Sequence, residues 1–346
     1  MAIDGNIYAP SQFRLAIAEE STFGTPITTQ SSFYELDLIS PTQPDMASGV
    51  VEDIRKRSDG KRVMSQTDFY RRTTGGLYVI PVEFVVTEDT VDLAIYGVMQ
   101  DLTSSTNVDT KYNNIWEWDG STTGPDFAGD AGKFFTVLGA DAGENWSATS
   151  CILRNVTFSA SAGSNGGRLI ASGEFVTGFD IDITSVTATV ASWVSPGQTY
   201  FCIQDMTTKT IGGADIVPYS LSITFNNGAV RVGHDSSGNA QSYHMALFDV
   251  TAEIVAKLDA NTVGLIDKYR LSPDAGAAED AVALAWGSVG AVASLEFIMN
   301  AVYTGPNSRD YGQESGVGVT LSYQGVDDGT NEAIEVKQTN EINRGW

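Results

Sequence analysis

Catalytic chemistry would have few groups to draw on in this chain. It holds two histidines, His234 and His244, and two cysteines, Cys151 and Cys202. Imidazole acid–base work therefore has little support, and the thiols form no C-x-x-C or other metal-ligand spacing. In a reducing compartment they read as buried thiols, with a disulfide between them left open. Nucleophile-elbow, zincin, phosphate-loop and EF-hand patterns are all missing from the sequence. "GDAGKFF" pairs Gly with Lys but has neither the upstream Gly nor the following Ser or Thr of a phosphate loop, and "GVGVTL" does not complete G-x-G-x-x-G. The acidic stretches 126–144 and 325–332 carry several carboxylates without a calcium-ligand spacing, so solvated loop carboxylates are expected there. A glycosidase-type carboxylate pair needs a separation in space that the sequence leaves undefined. Trp116 and Trp118 alternate in "NNIWEWDG", which puts both indoles on one side of a strand; a core edge is expected, and a sugar platform is the alternative. The expectation is a protein that is not an enzyme and uses no cofactor or metal.

What is concentrated is charge. The formal net charge is -23, yet seven of the 20 Lys and Arg fall in "VVEDIRKRSDGKRVMSQTDFYRRTTGG": Arg55, Lys56, Arg57, Lys61, Arg62, Arg71 and Arg72. An excess of carboxylates opposes adhesion to nucleic acid or anionic lipid, because phosphate binding relies on Lys and Arg displacing counterions. A basic loop on an acidic body instead suits docking on an acidic surface, and another copy of the same chain is the nearest such surface. A solvated loop is the plain alternative.

The elements that would position these groups are mostly strands. A chain of 346 residues with 35 Gly, 42% hydrophobic and 18% charged residues is globular and turn-rich. "MAIDGNIYAP" has no basic n-region or apolar h-region, and no long apolar run follows it, so the expectation is neither signal peptide nor membrane segment, with folding in a cytoplasm. Strands are predicted at 33–39, 78–86, 154–163, 168–178, 219–225, 295–303 and 318–325, with 154–163 and 168–178 forming a hairpin through "SNGG". In "EDTVDLAIYGVMQDL", Val91, Ala94, Ile95, Val98 and Leu102 fall on one face of a helix that should lie against a sheet, with Asp89 as N-cap.

The same order of strand, loop, strand and helix occurs twice. "FYELDLI" matches "PYSLSIT", pairing Leu36 with Leu221 and Leu38 with Ile223; "PVEFVVTED" matches "TAEIVAKLD", pairing Glu83 with Glu253 and Asp89 with Asp259. The first copy carries extra residues between its strands, and they lie in the basic loop, about residues 41–76. The expected organisation is mainly β: two tandem β-sandwich or open-barrel modules, 1–184 and 185–346, each with a flanking α-helix.

"FRLAIAEESTFGTPIT" (residues 13–28), the loop segment "VEDIRKRSDGKR", the Gly pair opening "TTGGLYVIPVEF" and the helix "DTVDLAIYGVMQ" occur in an order that resembles the tail tube (major tail) proteins of long-tailed bacteriophages. The similarity is clearest over roughly residues 10–102, and its motifs are phrases rather than catalytic signatures. The resemblance implies rings whose neighbouring sheets join into an inner barrel around a DNA channel, with the long loop contacting adjacent subunits or the next ring. Tandem-module members form homotrimeric rings of pseudo-sixfold symmetry; a homohexamer of long single chains is the alternative. It also implies a virion location in the tail after assembly in the host cytoplasm. Tape-measure, tail terminator and baseplate or tip proteins would be its partners, and genomic DNA would pass without specific binding. A capsid decoration or fibre-type virion protein is the second reading, and an acidic carbohydrate-binding β protein the third.

Overall fold

The computed structural model describes residues 13–42, 44, 50–52, 69–71, 77–100, 103–108, 111–118, 133–140, 145–183, 186–245, 247–271, 279–287, 293–305, 308–310 and 317–341. The chain opens with β1 (Arg14–Glu19), β2 (Tyr34–Glu35) and β3 (Asp37–Leu38), then β4 (Val50–Glu52), β5 (Phe69–Arg71) and β6 (Tyr78–Val85). After α1 (Val91–Met99) come β7 (Ser104–Val108), β8 (Lys111–Trp118), β9 (Phe135–Ala140), β10 (Trp146–Ser161) and β11 (Ile170–Thr177). The rest comprises β12 (Met206–Ile211), β13 (Ala214–Asp215), β14 (Pro218–Asn226), β15 (Val230–Val232), β16 (Ser242–His244) and β17 (Asp249–Lys257). Then follow α2 (Ala260–Leu271), β18 (Glu279–Trp286), β19 (Ser294–Tyr303), β20 (Ser308–Asp310), β21 (Gly318–Gly325) and β22 (Ile334–Asn340). The fold is mainly antiparallel β.

Two-residue periodicity builds these strands. In β6, Tyr78, Ile80, Val82 and Phe84 are buried, while Val79, Pro81, Glu83 and Val85 face outward. Pro81 survives inside the strand because its missing N–H points away from β11. Ile39 N–H donates to Glu83 O on that same side, and main-chain groups alternate in direction along a strand. The predicted strand 33–39 is split at Leu36, whose N–H donates to Leu15 O instead of joining the ladder to β6. The predicted hairpin is present as β10 and β11, turning through residues 165–167, where Asn165 and both glycines take positive φ.

One set of pairings occurs twice along the chain. β1 pairs β9, β9 pairs β10, β10 pairs β11, β11 pairs β6 and β6 pairs β3. Likewise β12 pairs β18, β18 pairs β19, β19 pairs β21, β21 pairs β17 and β17 pairs β14. β10 also pairs β14, which joins the two sets edge to edge. The outcome is one sheet in the order β3-β6-β11-β10-β14-β17-β21, continued by β19 and β20 on β21. The sheet wraps barrel-like around the core, and among the described residues no ladder joins β3 to β19 or β20. The sequence match between the two copies slips by two residues here: Leu38 stands opposite Phe84, and by the same ladder logic its counterpart is Leu221, which stands opposite Ile254, rather than Ile223. A two-residue slip keeps every side chain on its face, so the apolar pattern alone does not detect it.

The largest core cluster draws on both halves of the chain, from Phe13 to Val336. Phe158 of β10 packs on Phe225 of β14 and Phe297 of β19, with ring centroids 5.8 and 5.5 Å apart. Each such ring taken out of water contributes about 1.5–3 kcal/mol. The boundary expected at 184 and 185 falls on two residues outside the described ones. β22 crosses it, pairing with β19 on one edge and with β8 on the other.

α1 departs from its expected form. It packs against β10 and β8 as anticipated, but all nine residues are buried, including Asp92, so it has no solvent face. Its N-cap is Thr90 rather than Asp89, with Thr90 Oγ1 accepting from Thr87 N–H. Gln100 ends the helix in the left-handed region at φ 64, held by its own side-chain amide donating to Gly97 O.

Candidate functional site

The seven basic residues of the long loop are not brought together on a described surface. Arg55, Lys56, Arg57, Lys61, Arg62 and Arg72 lie outside the described residues, and Arg71 is placed only by its backbone, opposite Val50 in a ladder formed by β4 and β5 alone. β4 and β5 form a two-stranded sheet of their own, separate from the main sheet.

One organised surface is the outward face of that main sheet. Register places Glu83, Ser172, Thr157, Thr224, Thr251 and Gln324 in one row across six strands. A second row runs Ile170, Ser159, Ser222, Glu253 and Ser322. These side chains are half-buried or exposed. Short hydroxyls suit this position because they hydrogen-bond across strands without projecting; Thr157 and Thr224 hydroxyls sit 2.9 Å apart. Among the described residues the cations on this face are Arg154, bound to Glu174, and Lys257 at the end of β17. The Arg154 guanidinium hydrogen bond holds the Glu174 carboxyl below the usual range. At the β3 end the face deepens into an open cleft of about 450 Å³ lined by residues 40–42, Glu83, Asn155 and Glu174.

A second organised cluster was not foreseen. Glu20, 5% exposed, accepts from Thr136 Oγ1 at 2.7 Å, Ser150 N–H at 2.8 Å and Ser150 Oγ at 2.7 Å. Ser150 is held at φ 47, and its Oγ accepts from Gly24 N–H, while Thr136 Oγ1 accepts from Ile27 N–H. Burial raises the Glu20 carboxyl above the ordinary range, against the lowering effect of its donors. Phe23 fills the adjoining space against Phe134, Phe179 and Tyr243, at 4.8, 5.3 and 5.8 Å. The phrase "EESTFG" thus pins the segment after β1 to β9 and β10. A carboxylate closing an apolar strand was the visible signal; its partners lie more than a hundred residues away.

The remaining candidates resolve simply. Trp116 is fully buried and Trp118 stacks on Phe248 at 4.1 Å, so the indoles build core and core edge rather than a platform. Asp328 accepts from Thr330 N–H, Asn331 N–H and Asn331 Nδ2, which lowers its carboxyl to about 2 and uses it as a turn anchor. Cys151 is a buried free thiol whose pKa is pushed up by burial, and Cys202 is free and half-buried. His234 and His244 are exposed. Among the described residues no three His, Cys, Asp or Glu side chains converge as metal ligands, and no helix is long and apolar enough to cross a membrane.

No protein-family model matches the chain, and no curated protein matches its sequence.

Proposed function

We propose that this chain is the subunit of a bacteriophage tail tube: two tandem β modules, 1–184 and 185–346, assembled as a trimeric ring of pseudo-sixfold symmetry that stacks into a conduit for genomic DNA. The observation that carries this reading is the broad sheet face of short hydroxyls and carboxylates. Among the described residues its cations are one Arg already paired with Glu174 and one Lys at the rim. Such a wall is wetted, smooth and without a cluster of free cations, so phosphates sliding past it meet little to hold them. The doubled set of strand pairings supports tandem modules, and the sequence resemblance over roughly residues 10–102 supports the tail-tube assignment.

In this reading the basic loop gives each ring a polarity, its Arg and Lys meeting carboxylates of the next ring, an attraction weakened by salt. Tape-measure, terminator and baseplate proteins are the partners the role requires.

Negative-stain electron microscopy of the purified chain at low and high salt tests the proposal. Hollow tubes of fixed width with three paired lobes end-on are expected. Six equal lobes would keep the tube and overturn the trimer. Discrete particles that never stack, even when seeded with tail tips, would overturn the tube. In tube-forming conditions, replacing Arg55, Lys56 and Arg57 by Gln should abolish stacking while leaving single rings; unimpaired stacking would remove the loop from the mechanism.

A further inference from the structure

A pocket of about 310 Å³ opens on the far side of the core from the wall of hydroxyls. Phe297 of β19 points inward onto Phe158 and Phe225, so Glu296, and Ser294 two residues before it, point outward. Register sets Ile115, Lys337, Glu296, Ala285 and Thr208 in one row across β8, β22, β19, β18 and β12. The row dips at Ala285, whose side chain is a single methyl, and β12 shifts register between Met206 and Thr208, a bulge that bends the strand. The residues of this row and Ser294 line the pocket.

Several polar groups around it are already satisfied. Thr339 Oγ1 donates to Asn113 Oδ1 at 2.7 Å, and Thr207 Oγ1 donates to Gly287 O at 2.8 Å. Lys337 stands directly opposite Glu296, but its ammonium is bound to Glu335 Oε1 at 2.5 Å. Glu296 and Ser294 differ: neither side chain makes a hydrogen bond or ion pair, although Ser294 is only 7% exposed. A hydroxyl this buried takes its partner from whatever fills the pocket. The neighbouring row makes the face negative. Glu117 and Glu335 stand directly opposite each other, where like charges repel. Burial, a hydrogen bond shared with Glu335 and the charges of Glu332 and Glu335 raise the Glu117 carboxyl above its usual range.

We propose that this pocket is a binding site for a guanidinium on an aliphatic stem, its head on Glu296 and Ser294 and its stem along Ile115 and Ala285. A planar guanidinium matches a carboxylate with two parallel N–H donors and keeps others for the hydroxyl. The size agrees, because ligand pockets run from about 300 to 1,000 Å³ and this one, at the lower end, admits one small group. The inference goes beyond the tube reading and does not depend on it, since the pocket faces away from the hydroxyl wall.

Calorimetric titration of the full chain with butylguanidinium tests it. Saturable one-to-one binding is expected, with butylurea, which has the same shape and no charge, binding about tenfold more weakly or worse. Glu296→Gln should weaken butylguanidinium by a similar factor, and Thr208→Leu should block it by filling the pocket. Asp267→Asn, on the exposed side of α2, should change nothing. Far-UV dichroism checks that each variant folds, and the comparison with butylurea decides the question on the unaltered chain. A guanidinium has two sources, a free small cation and an Arg side chain of another chain, and acetyl-Gly-Arg-Gly-amide separates them. Binding as tight as that of butylguanidinium identifies a side-chain pocket; binding about tenfold weaker identifies a site for the free cation. No saturable heat from either guanidinium, equal binding of butylurea, or an unchanged affinity in folded Glu296→Gln would overturn the proposal.

Discussion

The two helices occupy the same place in the chain order, each following a strand that starts its ladder at the same neighbour type, yet they live in different surroundings. α1 is buried on every side. α2 exposes Ala260, Asn261, Val263, Gly264, Asp267 and Lys268 and buries Thr262, Leu265 and Ile266. What covers α1 is added material: the β7–β8 insertion and the C-terminal β22, which is paired to β8. Asn340 Nδ2 donates to Asp92 Oδ2 at 3.1 Å, and Gln338 Nε2 donates to Glu88 O, so the end of the chain is bonded to the start of α1. α2 is instead fixed by a local capping box, Asp259 Oδ1 accepting from Thr262 N–H while Thr262 Oγ1 accepts from Asp259 N–H. The comparison teaches that position in a repeat sets which ladder a helix follows, while burial is set by what the rest of the chain lays over it.

The largest way to break the comparison is to hollow the covered helix. Ile95→Ala, at a fully buried position, should cost about 2–5 kcal/mol in urea unfolding, whereas Val263→Ala on α2, 40% exposed, should stay within about 0.5 kcal/mol. Equal costs would mean that α2 is covered in solution. Next, Asn340→Ala removes a donor from the buried Asp92 carboxylate and should cost about 1–3 kcal/mol. An unchanged midpoint would show that the C-terminal strand is not holding α1. A smaller effect should differ in sign between the helices. A Cβ on Gly97 would meet Leu153 Cβ at 3.1 Å and Phe135 at 3.3 Å, while one on Gly264 meets nothing within 4 Å. Gly264→Ala should therefore stabilise by about 0.5–1 kcal/mol through helix propensity, and Gly97→Ala should lose that gain to crowding and end below wild type.

These contrasts mark what the sequence could and could not reveal. Strands with a clean two-residue alternation, such as 78–86 and 318–325, were legible because a half-buried sheet writes its faces directly into the chain. The helix was legible in place but not in burial, since its covering strands come from distant sequence. The repeat was legible in order, with a slip of two that the alternation itself conceals. The wall of hydroxyls could not be assembled beforehand, because each row takes one residue from each of several strands and depends on register. The basic loop was visible as charge alone, and its basic side chains all lie beyond what the structure describes.

The smallest effect tests whether the first half is also sealed around Glu20. Desolvation raises its carboxyl, and the donors from Ser150 and Thr136 offset only part of that rise. The groups packed against it, Ser150, Thr136, Cys151 and Tyr243, are neutral in the carboxylate range; burial pushes the thiol of Cys151 and the phenol of Tyr243 upward. For an acid whose folded pKa lies above its unfolded one, the folded state keeps the proton after the unfolded state has released it. The stabilisation from this proton is therefore complete below the ordinary carboxyl range and is lost as pH rises through the folded pKa. Glu20→Gln has no proton to lose. Its stability relative to wild type should rise across that window and then level off, as read by urea midpoints taken at a series of pH values. A difference that is flat with pH would mean that Glu20 titrates as a solvated carboxyl, and that the segment after β1 opens to water.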